Sequence, residues 1–203
     1  MMRPSIFCIC MMIISSLSAS TVNAQDKVAG HKNLIVYFSR TENTQVVAEI
    51  IQGLVGGTLM QIETKHPYPK DYKATVDQVA KENESGFQPE LKTTVSNLDE
   101  YSTVYIGFPT WGMQLPPPVK SFLHQHDLTG KTVIPFNTNA GYGVGSGFET
   151  VEHLCPKSSV LDGFEIKGGI ERDGVMLAIK NIRKQDVERK VKQWLQRINR
   201  LPE

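Results

Sequence analysis

The sequence is poor in cysteine, has almost no excess of either charge and contains no apolar run long enough to span a bilayer. Its three cysteines are Cys8, Cys10 and Cys155. The first two fall in a stretch that reads as a removable leader, so Cys155 has no intrachain partner and the fold must rest on burial rather than disulfides. Lys and Arg number 22 against 21 Asp and Glu, and loss of Arg3 with the leader makes them equal. A neutral chain with no cluster of lysine and arginine argues against nucleic-acid binding. Internal repeats, low-complexity segments, a nucleophile with a paired base and a separate nicotinamide-binding fingerprint are also missing. His124 and His126 invite a metal reading, but residues two apart lie on different faces of a helix. Cys155, next to Pro156 at a helix end, reads as a buried small hydrophobe.

The leader is read from Met1 to Ala24. One early charge at Arg3, an apolar core from Ile6 to Leu17 and the small-residue site Val22-Asn23-Ala24 match a secretory signal peptide cleaved before Gln25. The apolar core is too short for a stable anchor. The expectation is therefore an exported chain with no stable membrane anchor after cleavage: residues 25–32 form a flexible leader and residues 33–203 one domain of ordinary α/β size.

Within that domain, Leu34-Ile35-Val36-Tyr37-Phe38 is an unbroken apolar run, the mark of a strand buried on both faces. The hydroxyl-rich turn Ser39 to Thr44 follows, and then Val46, Val47, Ile50, Ile51 and Leu54 recur at helical spacing. Such a turn either caps the helix or offers its N–H groups and dipole to a phosphate. Further strands are expected at Thr58–Glu63, Thr103–Phe108, Thr132–Phe136 and, interrupted by Asp162-Gly163, Val160–Ile166. Helices are expected over Asp71–Glu84, a modestly amphipathic surface helix with Tyr72, Val76, Val79 and Ala80 near helical spacing, from Pro116 to about His126, over Phe148–Leu154, and around Val187, Val191, Trp194, Leu195 and Ile198, where Trp194 belongs to the core. Pro67-Tyr68-Pro69 forces an extended loop.

Alternation of strand and helix implies an α/β doubly wound, five-stranded parallel sheet with helices on both faces. Ligands bind such sheets outside the strands' carboxyl ends. Three unusual loops leave those ends: Ser39–Thr44, Pro109–Leu115 and the glycine-rich Asn137–Gly147.

These loops, together with Pro67-Tyr68-Pro69, Leu98-Asp99-Glu100-Tyr101 and the strand Gly130 to Phe136, resemble the bacterial flavodoxins over roughly Asn33 to Leu201. The resemblance implies a three-layer α/β/α flavodoxin-like fold with strand order 2-1-3-4-5 and noncovalent FMN at the switch point. It implies that Ser39, Arg40, Thr41, Asn43 and Thr44 surround the FMN phosphate. Pro109, Thr110, Trp111, Gly112 and Met113 would form one ring-binding loop, with Trp111 stacked on the isoalloxazine. Thr138, Asn139, Ala140, Gly141, Tyr142 and Gly143 would form the other, with Tyr142 over the opposite face. Gly112 would let its peptide with Met113 turn toward N5 of the flavin.

Two departures stand out. Glu42 occupies a position where the family carries glycine, so its carboxylate must point to solvent or weaken phosphate binding. The neutral charge lacks the acidic field that steers flavodoxins to basic partners, which shifts the expectation from a promiscuous shuttle toward an oxidoreductase of the flavin-reductase or NAD(P)H/quinone-reductase type with a small-molecule electron acceptor, or a carrier with a dedicated redox partner protein. The expected site of action is the periplasm. The alternative is a flavin-free module using the same edge for a phosphorylated ligand or a protein.

Overall fold

The structure, a computed structural model, describes residues 32–201. The expected signal peptide and all but the last residue of the leader lie outside them. The described residues begin in strand β1 (Lys32–Tyr37), followed by α1 (Asn43–Val55), β2 (Thr58–Gln61), α2 (Tyr72–Ser85), β3 (Tyr101–Pro109), α3 (Pro117–Gln125), β4 (Thr132–Asn139), α4 (Gly147–Leu154), β5 (Ser159–Val160), β6 (Phe164–Lys167) and α5 (Asn181–Arg197).

Every strand pairing is parallel, in the order β2-β1-β3-β4, with β5 and β6 both against β4. β5 pairs with Thr132 and Val133 and β6 with Phe136 to Asn139, so the two are halves of the expected interrupted fifth strand. The break has a packing cause. The Trp194 indole donates to the Asp162 carbonyl at 2.9 Å, and a Cβ on Gly163 would stand 2.6 Å from the Phe148 ring. The order 2-1-3-4-5 expected from the sequence is the order found.

The unbroken apolar run of β1 serves both faces. Leu34 and Val36 join Val104, Ile106, Phe108, Val119, Phe122 and Val151 beneath α3 and α4. Ile35 and Tyr37 join Tyr105, Ile134, Phe136, Val47, Ile51, Val187, Val191, Trp194 and Leu195 beneath α1 and α5. Each fully buried aliphatic or aromatic side chain contributes about 1.5–3 kcal/mol. Cys155 is in the first of these cores, where burial pushes its thiol pKa up to about 11.

Two expectations need correction. Asn137, Thr138 and Asn139 are not loop residues. β4 continues through them because it has a partner on each side, Phe108 and Pro109 of β3 and Glu165 to Lys167 of β6, and all three are buried. The apolar stripe expected on the surface helix α2 is only partly covered: Val79 is buried, but Tyr72 and Val76 are 40% and 45% exposed. Polar contacts hold this helix instead. Asp71 caps it through the Ala74 N–H, Thr75 donates to the Pro69 carbonyl at 2.8 Å, and the Tyr68 hydroxyl donates to Glu82 at 2.6 Å. Burial, followed by that bond to Glu82, raises the Tyr68 pKa above the ordinary phenol value.

Candidate functional site

The turn after β1 ends at the amino terminus of α1, whose dipole places partial positive charge there. The backbone N–H groups of Ser39 to Thr44 have no acceptor among the described residues, and neither does the buried Ser39 hydroxyl. Buried polar groups are normally paired, so this combination is a ready site for an anion of the size of a phosphate. Glu42 sits in the left-handed region at φ 63°, the conformation glycine adopts freely. Its side chain is exposed and makes no cap bond.

The neighbouring side chains are occupied in shaping this loop. Asn43 donates to the Thr41 hydroxyl at 2.9 Å and the Met176 carbonyl at 2.6 Å, and accepts from the N–H groups of Ala178 and Ile179. Thr44 and Thr138 share a buried hydroxyl bond of 2.8 Å. The Arg40 guanidinium, placed by the sequence beside a phosphate, is directed elsewhere. It bonds both oxygens of Glu171 at 2.7 and 2.9 Å and the carbonyls of Pro69 and Lys70 at 2.6 and 2.7 Å.

The other two loops are fastened to each other. Trp111 and Gln114 close a turn on Gly112 and Met113 through reciprocal backbone bonds, with φ 55° and 58° at the two central residues, which is the type I′ geometry. The Met113 carbonyl accepts from the Ser146 N–H at 3.0 Å, and a Cβ on Gly145 would approach that oxygen to 2.0 Å. Thr110 donates to the Gly143 carbonyl at 3.0 Å and accepts from Asn137 at 3.0 Å, while Asn139 accepts from the Gly141 N–H at 2.8 Å. The Trp111 ring meets Phe38 and Tyr68 nearly at right angles, each centroid 5.0 Å away.

Between these loops lies a cavity of about 650 Å³, within the usual range for small-molecule sites. It gathers Arg40, Thr41, Asn43, Pro109, Thr110, Trp111, Gly112, Met113, Thr138, Asn139, Ala140, Tyr142 and Gly143. Ser39, Thr44 and Gly141 do not line it. Tyr142 is 68% exposed at its mouth, beside Arg172, whose pKa Asp173 and then the Tyr142 hydroxyl raise above the ordinary arginine value.

Two walls were not anticipated from the sequence. One is α2, through Tyr72, Val76 and Asn83, and the other is the segment Gly168 to Arg172. The pair Gly168-Gly169 was the available signal. A Cβ on Gly168 would come within 3.1 Å of Asn43, and one on Gly169 within 2.0 Å of the Met176 carbonyl, so the pair lets this segment close over the turn after β1.

Several proteins are similar to this chain. It is 27% identical to a candidate flavoprotein from Bacteroides eggerthii, over 83% of this chain and 98% of that one, with a TM-score of 0.67. A second candidate flavoprotein, from Bacteroides uniformis, is 28% identical over 82% and 99%, also at 0.67. A flavoprotein from Lactobacillus acidophilus, crystallised with FMN, shares the fold at 23% identity and a TM-score of 0.59, over 71% of this chain and 98% of its own. No curated protein matches. The flavodoxin family model matches residues 32–182, most of the chain, with the three site loops inside the match, and the chain therefore belongs to the flavodoxin family.

Proposed function

We propose that the protein binds one FMN noncovalently between these loops and serves electron transfer, either as a carrier or as an oxidoreductase. The observation that carries this reading is the unpartnered Ser39 hydroxyl and the free N–H groups of Ser39 to Thr44, at a helix amino terminus beside an aromatic-walled cavity. FMN, when bound, supplies one- and two-electron chemistry at its ring.

The chain's own residues divide the remaining work. The Ser39 hydroxyl and the turn's N–H groups hold the phosphate. The side chains of Asn43, Thr44 and Arg40 keep the turn in shape without touching it. Trp111 and Tyr142 flank the ring and exclude water from it, an aromatic contact worth about 0.5–1.5 kcal/mol beyond its area. The Gly112 carbonyl and the Met113 N–H have no partner among the described residues, so that peptide is available to the ring edge. Turning it from type I′ to type II′ would return Met113 to an ordinary negative φ and leave only Gly112 in the left-handed region, which glycine tolerates. The neutral charge favours a small-molecule acceptor or a dedicated partner protein over general electrostatic docking. The apolar run Ile6 to Leu17 supports export to the periplasm, with FMN acquired there.

Titration with FMN tests the reading. Saturable shifts of the flavin spectrum with quenching of tryptophan fluorescence are expected, and Trp111→Phe separates the Trp111 signal from that of Trp194, which is 2% exposed. No spectral change at saturating FMN would leave a flavin-free module instead. Glu42→Gly is expected to bind FMN more tightly than the wild type. The same change removes a left-handed non-glycine residue, a gain of about 1 kcal/mol, so thermal unfolding should rise by about 2–4 °C. A lower melting temperature would show that the Glu42 side chain stabilises the fold.

A further inference from the structure

The wall that α2 contributes carries a feature the FMN reading leaves unused. Lys120 Nζ lies beneath the Trp111–Gln114 turn and donates to Asn83 Oδ1 at 3.0 Å and to Gln114 Oε1 at 3.3 Å. An ammonium group accepts nothing, so it fixes which end of each amide is oxygen. Both amide NH2 groups are thereby turned away from the lysine. Neither has an acceptor among the described residues, although both residues line the cavity. Asn83 Nδ2 stands 3.7 Å from where a Cβ on Gly112 would be, beside the turn proposed to face the ring. The surfaces next to these donors are apolar: Val76 and Met113 are 45% and 46% exposed there.

We propose that Asn83 and Gln114 form a second subsite in which their NH2 groups donate to a carbonyl oxygen of a flat, largely apolar small molecule, the quinones being the class that also accepts electrons. The assignment deepens the FMN reading by naming the acceptor class. It rests on that reading only for the electrons, since the donors and the apolar wall are present in the chain itself. Positions inside a cavity, rather than on the outer surface, favour a small molecule over a partner protein.

The test uses 1,4-naphthoquinone and the side-chain amide signals of Asn83 and Gln114 in NMR spectra, with and without FMN. Saturable shifts of those signals are expected. Asn83→Asp, which keeps the pairing with Lys120 but places an oxygen where the donor stood, should weaken naphthoquinone binding about tenfold, and Gln114→Glu should do the same. Naphthoquinone affinity should fall further than FMN affinity in both variants, and the backbone amide spectrum checks that each variant is folded. Unshifted amide signals, or unchanged naphthoquinone affinity in both folded variants, would overturn the subsite. So would an equal loss of FMN affinity, which would assign these amides to the flavin. Failure of FMN to bind the wild type is a separate result that bears on the proposed function alone.

Discussion

Replacing Arg40 with methionine is expected to lower the unfolding free energy by about 3 kcal/mol, the low end for breaking a buried ion pair. The guanidinium bonds Glu171 and the carbonyls of Pro69 and Lys70, and so joins the phosphate turn, the loop leading to α2 and the segment after β6. Its side chain and that of Glu171 are 14% and 15% exposed, so methionine leaves a poorly solvated carboxylate at the cavity wall together with two unpaired carbonyls. Urea unfolding measures the loss. Arg40→Met combined with Glu171→Gln should recover part of it, because the stranded charge is then gone. If the single variant were as stable as the wild type, the three segments would be held by something other than this residue.

Trp111→Ala is expected to weaken FMN binding about a hundredfold, roughly 2.7 kcal/mol, through loss of ring contact and admission of water. It also removes the edge contacts with Phe38 and Tyr68, which should cost about 2 kcal/mol of stability in a half-buried setting. Trp111→Phe separates the two effects. A smaller ring retains those contacts and part of the flavin surface, so the fold should be nearly unaffected and the affinity only a fewfold weaker. Equal FMN affinity in the alanine variant would place the flavin elsewhere in the cavity.

Both predictions turn on features the sequence displayed unequally. The run Leu34 to Phe38 announced a doubly buried strand because its residues alternate between two cores. Trp111 stood out because a tryptophan between threonine and glycine in a loop has little ordinary explanation. Side-chain direction was not legible in the same way. Arg40 lies within the turn from Ser39 to Thr44, but its guanidinium is claimed by Glu171, 131 residues away, and nothing in local spacing shows that. Asn43 is similar: its amide reads as a ligand to phosphate until Met176, Ala178 and Ile179 close over it. Tyr72 and Val76 fall at helical spacing on a surface helix, and periodicity shows that a face is apolar without showing what covers it. The polar end of β4 read as loop because asparagine and threonine rarely continue a buried strand. Here Thr138 and Asn139 pair through Thr44, Asn137 and Glu165.

In the proposed function the turn from Ser39 to Thr44 holds the phosphate of FMN. Its most direct test is a comparison of FMN with riboflavin, which carries the same ring without the phosphate. Several N–H groups and a hydroxyl at a helix amino terminus should make FMN bind at least about tenfold more tightly, and Ser39→Ala should narrow that ratio without altering riboflavin affinity. Equal affinity for the two flavins, unchanged by Ser39→Ala, would contradict the account.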